Sequence, residues 1–526
     1  MAQALPHDFE PIPIAVQDEL WLTMDRPTNL MIIDSLVWLE QAPKWPALRA
    51  IIRDRMVDRY PVFRCHPQEI DGRMHWVADA DFRLARHVRK AKLGAPVDEE
   101  SVRRLVAAER SKAFDRNHPL WSVQLIEAVH RADGRIGAAV LLRVHHSLAD
   151  GIRMTELALG LCDPVDAAPG TISAKVGRTL PRAGRPTPAL ALEAMSSLTG
   201  SGASRLASAA AGIAEVGRSA GGALVRDLQD PLGAPGRAAS SVADLAATAA
   251  REVVALVADP ARAIDLPTYV AGLAPGGEQA ANTVTEILGS ISAKNPKSTW
   301  TGTPGLEKSV AWSAPIPLAD IVQMARSCDA TVNDALVAAV AGALMRYLAE
   351  HGTTLNEVSW HIPVSLQPFG DGLPDRLGNH LALVSFRMPL NLRDPKRRMK
   401  EVHRRTERIK NSQETLVTFG IQRVIAQSPH ALSVMLTDYF ANLTVGVLTN
   451  VPGPRRPVAL AGARVDSMLG WAPCNGNQPM TVCIYSYAGQ VVVSIAADAG
   501  LVPDLDRVTA HLDAEIEHMR FALGAD

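Results

Sequence analysis

The apolar and polar positions of the first 165 residues alternate between helical and strand spacing. Residues 46–59 place apolar side chains at helical intervals and therefore predict an amphipathic helix. Residues 121–129 alternate apolar and polar side chains, which is typical of a half-buried strand. The pair Asp133-Gly134 then indicates a hairpin turn, and residues 136–144 are apolar enough for a strand that is buried on both faces.

Residues 166–298 differ from both flanks because Ala, Gly and Ser dominate and Pro recurs. This composition predicts a long segment between two domains, with several weak helices. Two apolar stripes within it pack either on the protein's own domains or on a lipid surface. The stripes consist of Leu206, Ile213 and Leu224, and of Leu245, Val253 and Leu256.

Residues 299–526 return to a mixed helix and strand pattern. Residues 331–348 predict a helix that is buried because it is apolar nearly all round, and residues 505–521 predict a closing amphipathic helix. Strands are predicted over residues 359–364, 381–386, 444–449, 481–485 and 491–496. A chain of 526 residues is too long for one ordinary core. We therefore expect an α/β protein with domains at 1–165 and 299–526, joined by the segment 166–298.

Charge and composition narrow the class of protein. The 54 Lys and Arg residues balance 55 Asp and Glu residues, whereas a nucleic-acid-binding protein usually carries a clear basic excess. The basic cluster within residues 396–405 either binds the phosphates of a nucleotide-like substrate or forms a solvated helix face. The five cysteines form no CxxC pair, which argues against disulfides and a zinc site and fits a reducing cytosol. We expect neither a nucleic-acid partner nor a metal.

The N-terminal residues lack the basic stretch and apolar run of a signal peptide. The longest apolar run, within residues 335–345, is well short of the ~20 residues that cross a bilayer. We therefore predict a cytoplasmic protein, for which any contact with a membrane or lipid droplet is peripheral.

The most informative segment for chemistry is His145-His146-Ser147-Leu148-Ala149-Asp150-Gly151, which lies where a buried strand ends and a helix begins. An imidazole has the right pKa to take a proton from a hydroxyl near neutral pH. The alternative is structural, with two hydrogen-bonded histidines, Asp150 as a helix N-cap and Gly151 as a turn residue. A metal site is disfavoured, because neighbouring residues at a strand end point to opposite faces.

This segment matches the HHxxxDG signature of acyl-CoA-dependent acyltransferases, and the chain resembles the bacterial wax ester synthase/diacylglycerol acyltransferase family. Further matching motifs follow in the family's order in both terminal blocks. They are Pro119-Leu120-Trp121 (PLW), Asn333-Asp334 (ND), Pro363-Val364-Ser365 (PVS), Leu377-Gly378-Asn379 (LGN) and Asn450-Val451-Pro452-Gly453-Pro454 (NVPGP). Near the N-terminus, Asp18-Glu19-Leu20-Trp21 and Pro27-Thr28-Asn29-Leu30-Met31 resemble the family's opening segment. The chain departs from the family at Met31-Ile32-Ile33-Asp34, where Met-His-Ile-Gly is frequent.

The resemblance implies two chloramphenicol-acetyltransferase-like domains with a tunnel between them, acyl-CoA as co-substrate and no cofactor. His146 would be the general base that deprotonates the acceptor hydroxyl, and Asn333 would stabilise the oxyanion. His145 would either share the base function or stabilise the loop. Asp150 would order the loop through a charge partner, and Asp334 fits a capping box with Thr331.

The remaining motif residues have two interpretations each. Pro119, Leu120 and Trp121 either shape the acyl channel or form a packing corner at the start of a strand. The resemblance also makes Gly151, Gly378, Asn379 and Asn450 candidate substrate-binding residues of the tunnel, although turn residues of these types also simply connect elements.

The function implied by the resemblance is transfer of a long-chain acyl group to diacylglycerol or a long-chain alcohol, which forms triacylglycerol or wax ester. The first alternative is an acyltransferase or condensation enzyme of polyketide or peptide assembly that uses a carrier-protein thioester. The second alternative is a non-catalytic protein of the lipid-droplet surface.

Overall fold

A computed structural model describes residues 5–6, 9–165, 295–366, 373–411 and 430–524, together with isolated positions between 415 and 426. The segment predicted to join two domains lies outside the described residues except for 295–298, and both of its apolar stripes lie outside them as well. The elements below refer to the described residues.

The strands alternate with helices in both terminal blocks, as the α/β pattern predicts. In chain order the strands are β1 (Ile12–Pro13), β2 (Ile32–Leu39), β3 (Cys65–Ile70), β4 (Arg73–Ala78), β5 (Val88–Lys90), β6 (Val97–Asp98), β7 (Trp121–His130), β8 (Ile136–His145), β9 (Cys162–Pro164), β10 (Lys308–Trp312), β11 (Ile316–Pro317), β12 (Glu357–Ser365), β13 (Leu381–Pro389), β14 (Gly446–Pro452), β15 (Val458–Leu460), β16 (Ala463–Trp471), β17 (Met480–Tyr487) and β18 (Gln490–Asp498). The helices are α1 (Val16–Met24), α2 (Trp45–Ile52), α3 (Leu84–His87), α4 (Glu99–Arg110), α5 (Gly151–Gly160), α6 (Leu318–Arg326), α7 (Val332–Glu350), α8 (Pro395–Lys410), α9 (His430–Ala441) and α10 (Leu505–Leu523). The predicted α/β class is confirmed.

Two mixed sheets form the centre of the molecule. The N-terminal sheet has the order β5-β7-β8-β2-β16-β15-β9, with β6 paired to β7. The C-terminal sheet has the order β10-β18-β17-β14-β12-β13, with β11 paired to β18. A small third sheet, β1-β4-β3, lies beside the first.

The C-terminal block contributes strands to the N-terminal sheet. Strand β16 runs antiparallel to β2, with Leu469 opposite Leu36 and Trp471 opposite Asp34. Strand β15 links β16 to β9 at the sheet edge. The segment 299–526 thus builds the C-terminal sheet and also completes the N-terminal sheet. The segment 1–165 therefore does not form a complete sheet by itself.

An apolar layer joins the two sheets. Trp38 and Leu141 from the N-terminal sheet, Val106 from α4, and Val310 and Val492 from the C-terminal sheet belong to one buried cluster. Strand β7 was predicted to be half-buried, and this is wrong for its first half. Both faces of that half are covered, so even its polar side chains at positions 122 and 124 are each only 6% exposed.

Helix α7 is the centre of the C-terminal core, as its nearly uniform apolar sequence predicts. Thr331 caps its start, and Asp334 bonds back to the Thr331 backbone, which confirms the predicted capping box. Within the described residues α7 is also the helix long and apolar enough to cross a membrane, but most of it is buried among the other elements of the protein. Its apolar character is therefore explained by the core.

A buried ion network fixes the N-terminal sheet at the position where the chain departs from the family. Asp34 is 1% exposed and accepts a hydrogen bond of 3.0 Å from Arg143, its cross-strand neighbour on β8. Arg110 of α4 donates to the other oxygen of Asp34 and also to the carbonyl of Ala472, 3.1 Å away. This network joins β2, β8, α4 and the residues that follow β16.

Replacing Asp34 tests how much this network contributes to the free energy of unfolding. Asp34→Ala leaves the largely buried guanidinium of Arg110 without its carboxylate, whereas Arg143 keeps Glu109, 3.3 Å away. Losing one partner of a buried pair costs about 3–5 kcal/mol. We expect the free energy of unfolding, measured by urea denaturation, to fall by about that amount. The matched surface variant Asp54→Ala should stay within about 0.5 kcal/mol of the wild type. Equal free energies of unfolding for the two variants would contradict the contribution assigned to the network.

Candidate active site

The two histidines of the motif lie at the end of β8 and are held by the backbones of its neighbours. The N–H group of His145 donates to the carbonyl of Leu120 at 2.9 Å, and the N–H group of His146 donates to the carbonyl of Met31 at 2.7 Å. Because β2 and β7 flank β8 in the sheet, the position of both histidines is set by backbone pairing before any side chain acts.

The side chain of His146 is enclosed and neutral. It is 5% exposed, and its ring stacks on Trp21 of α1, with ring centres 3.7 Å apart and planes 22° apart. Burial lowers the pKa of His146 to about 3, against opposing effects of the Asn379 side chain and of its own backbone. At neutral pH the ring therefore carries a free lone pair, which a general base requires.

Asp150 is bonded at both of its carboxylate oxygens. One oxygen accepts the backbone N–H of Arg153 at 2.9 Å, which caps α5, and Gly151 follows as the first helical residue. The other oxygen accepts the backbone N–H of His380 at 3.0 Å, and the Asp150 N–H itself donates to the carbonyl of Gly378 at 3.1 Å. These partners are backbone groups, whereas the resemblance predicted a charged side chain. Asp150 thus orders the loop and ties it to the residues before β13.

The residues before β13 bring Gly378 and Asn379 to the histidine motif. Gly378 has φ +144°, a region that favours glycine, and a Cβ there would lie 3.4 Å from a carboxylate oxygen of Asp18. Asn379 is 4% exposed, and its side-chain N–H group donates to the carbonyl of His146 at 2.8 Å. The same group donates to Asp18 at 2.8 Å, and the Asn379 backbone N–H donates to Asp18 at 2.9 Å.

His145 has different surroundings from His146. Its Nδ1 atom lies 2.8 Å from Oγ of Ser147 and accepts the Ser147 backbone N–H at 3.2 Å. Its Nε2 atom lies 3.6 Å from Asp25, whose other oxygen accepts the N–H of Met31 at 2.8 Å. Burial lowers the pKa of His145, against the bond and charge of Asp25. Of the two roles expected for His145, this geometry favours stabilisation of the loop.

The PLW motif lies at the start of β7, with Leu120 and Trp121 each 1% exposed. The indole N–H of Trp121 donates to the carbonyl of Phe63 at 2.9 Å, and its ring stacks on His87 at 4.8 Å. The backbone N–H of Trp121 donates to the carbonyl of Pro119 at 2.9 Å. These contacts favour the packing corner over the channel wall for this motif.

The ND and NVPGP motifs meet each other in the C-terminal lobe. The side chain of Asn450 donates to that of Asn333 at 3.1 Å. Asp334 is fully buried and accepts hydrogen bonds from Thr331 and Thr406, so it has a structural role. The structure brings Asn333 and Asn450 together, whereas the described contacts of His146 come from other residues.

The sequence interpretation missed Asp18 and Trp21, which contact Asn379 and His146. Both lie on α1 three residues apart and therefore share one helix face. The segment containing them resembles the opening of the family, which was the available signal. The contact of Asp18 reaches Asn379 across 361 positions, a separation at which local patterns carry no information on pairing.

The chain is similar to known proteins both in sequence and in structure. The family model of the wax ester synthase/diacylglycerol acyltransferase catalytic domain matches residues 14–262, and that of the WS/DGAT C-terminal domain matches residues 377–520. A probable diacylglycerol O-acyltransferase of Mycobacterium tuberculosis strain H37Rv is 25% identical over 452 residues, which cover 85% of this chain and 81% of the relative. A putative diacylglycerol O-acyltransferase of Mycobacterium tuberculosis strain CDC 1551 is 26% identical over 479 residues, which cover 91% and 85%.

Solved structures share the fold. A wax ester synthase/diacylglycerol acyltransferase from Marinobacter aquaeolei VT8 has a TM-score of 0.61 at 19% identity, covering 98% of this chain and 100% of that chain. A starter condensation domain of rhizomide synthetase, in complex with C8-CoA, has a TM-score of 0.51 at 11% identity, covering 99% and 95%. The expected two-domain, chloramphenicol-acetyltransferase-like fold is confirmed. The chain belongs to the wax ester synthase/diacylglycerol acyltransferase family and is an acyl-CoA-dependent O-acyltransferase of that type.

Proposed function

We propose that the enzyme transfers a long-chain acyl group from acyl-CoA to the hydroxyl of diacylglycerol or of a long-chain alcohol, with His146 as the general base. The products are triacylglycerol or wax ester. The observation that carries the proposal is the buried, neutral ring of His146, held at the point where both lobes contribute contacts. The names of the mycobacterial relatives support diacylglycerol as an acceptor.

The chemistry requires one proton to move in each direction. The His146 ring accepts the proton of the acceptor hydroxyl while its oxygen attacks the thioester carbonyl. The C–O bond forms, the tetrahedral intermediate collapses, the C–S bond breaks, and the CoA thiolate takes the proton back from the ring. No acyl-enzyme is required, because both substrates are held together.

The negative oxygen of the intermediate requires a hydrogen-bond donor. Asn333 remains our candidate for this donor. The Asn450 side chain donates to Oδ1 of Asn333, which leaves the Asn333 amide N–H group to serve the oxyanion. Because both acceptors are lipids, the proposal also favours a cytoplasmic enzyme in peripheral contact with a membrane or lipid droplet.

His146→Ala tests the base. A positioned general base contributes about 10²- to 10⁴-fold to rate, so we expect kcat to fall by roughly that factor. The assay uses purified enzyme with palmitoyl-CoA and either diacylglycerol or hexadecanol, and measures both the free CoA thiol and the ester product. The exposed His130→Ala variant is the matched control and should keep wild-type turnover.

Two outcomes of this assay would contradict the proposal. Ester formation at the wild-type rate by His146→Ala, with an unchanged circular dichroism spectrum, would overturn the base assignment. If the enzyme turns over an acylated carrier protein but none of the acyl-CoA substrates, the condensation-type alternative would be favoured. The ratio of rates with the two acceptors determines which product the enzyme makes.

The pH profile gives an independent test of the His146 environment. An unperturbed histidine base loses activity about tenfold per pH unit below its pKa of about 6.5. With its pKa lowered to about 3, His146 stays neutral throughout pH 5–8, so its titration should be absent from that range. Burial raises the pKa of Asp18 to about 7, against its bonds from Asn379, so the profile is measured in Asp18→Asn to remove that titration. An inflection near pH 6.5 in this variant would contradict the expected environment.

A further inference from the structure

Asp18 is a buried carboxylate whose described hydrogen bonds come from one residue. It is 9% exposed, and its Oδ1 atom accepts both the backbone N–H and the side-chain N–H of Asn379. No ion pair among the described residues includes Asp18, and burial raises its pKa to about 7. Burying a carboxylate without a cation is costly, and such groups concentrate at functional sites.

The amide of Asn379 has a fixed orientation. Its Nδ2 group donates to two oxygens, one of the Asp18 carboxylate and that of the His146 carbonyl. If the amide were flipped, the Asn379 oxygen would face both of these acceptors and no hydrogen bond could form. Its Oδ1 atom and the Nδ1 atom of His146 are both buried, and neither has a hydrogen-bond partner within the described part of the chain. The Asn379 side chain also raises the pKa of His146, as a neighbour that accepts a bond from the ring does.

We infer that Asp18 and Asn379 are a positioning pair for His146. Asp18 holds the Asn379 amide against the His146 carbonyl. In the reacting complex the unpartnered Oδ1 of Asn379 would accept the unpartnered Nδ1–H of the ring, which keeps the lone pair on Nε2 for the acceptor hydroxyl. A histidine base needs a partner on its second nitrogen to fix the tautomer. The inference rests on the proposed function of His146.

The Asn379 side chain is not needed to anchor its own segment of the chain. Asp150 already holds the residues on either side, since it donates to the Gly378 carbonyl and accepts the His380 N–H. The backbone of Asn379 is also held, by its own N–H bond to Asp18. Truncating the side chain therefore leaves the segment anchored, which separates positioning from folding.

Asn379→Ala is the first test. With palmitoyl-CoA and the preferred acceptor, kcat should fall roughly 10- to 100-fold, a part of the about 10²- to 10⁴-fold supplied by a positioned base. The KM for palmitoyl-CoA should stay within about twofold, because the lost interaction acts on the chemical step. The exposed Asn391→Ala variant is the matched control and should keep wild-type kcat. A wild-type kcat in Asn379→Ala would overturn the inference.

Asp18 variants test whether the two residues act as one unit. Asp18→Ala should reproduce the kcat loss of Asn379→Ala, whereas Asp18→Asn keeps an acceptor oxygen and should restore most of the activity. The double variant Asp18→Ala/Asn379→Ala should be no slower than Asn379→Ala alone, because both changes release the same ring. Independent, multiplying losses would overturn the positioning pair. This series also remains informative if thermal melting shows that one single variant fails to fold.

The tautomer of His146 is a readout that a structural role would not move. Enzyme labelled with ¹⁵N-histidine should show His146, assigned by its absence in His146→Gln, as a single Nδ1–H tautomer. Asn379→Ala should show a mixture of tautomers, and an unchanged tautomer would contradict the inference.

If His146→Ala keeps full activity, the proposed function itself fails. If His146→Ala is inactive while Asn379→Ala and Asp18→Ala keep wild-type kcat, only the positioning pair fails.

Discussion

The carboxylate of Asp150 is the constraint on which the site depends. One of its oxygens caps α5 of the N-terminal block, and the other binds the N–H group of His380, just before strand β13 of the C-terminal sheet. The Asp150 side chain thus fixes the start of the helix that follows the histidines. It also holds the segment that places Asn379 beside them. The contact of Asn379 with His146 depends on this link, because Asn379 reaches the histidine carbonyl only with its segment in place.

The environment of His146 sets its chemistry more than its intrinsic basicity does. Enclosure against Trp21 keeps the ring neutral, so its lone pair is available to the acceptor hydroxyl throughout the ordinary pH range. The same enclosure makes the protonated ring costly, so the imidazolium formed after attack readily returns its proton to the departing thiolate. Exclusion of water also strengthens each polar contact around the reacting atoms.

The sequence predicted the parts of this structure that are encoded locally. Helix α7 was predicted because its apolar residues are continuous and its first turn carries the Thr331 and Asp334 box. His146 and Asp150 were predicted because the motif is contiguous. Asp18 was not, since nothing near it in the chain indicates that its partner is Asn379. Strand β7 was predicted with one exposed face, because alternation shows which residues share a face but not what covers each face.

The placement of β16 has a consequence for how the chain can be divided. Strand β2 lies between β8 and β16, and β16 comes from the far end of the sequence. A fragment that ends before residue 299 would leave the β2 backbone as an open edge next to apolar side chains such as Leu36, a surface that promotes aggregation. The lobes are therefore interdependent folding partners, and the N-terminal sheet is complete only once β15 and β16, which end at Trp471, have emerged.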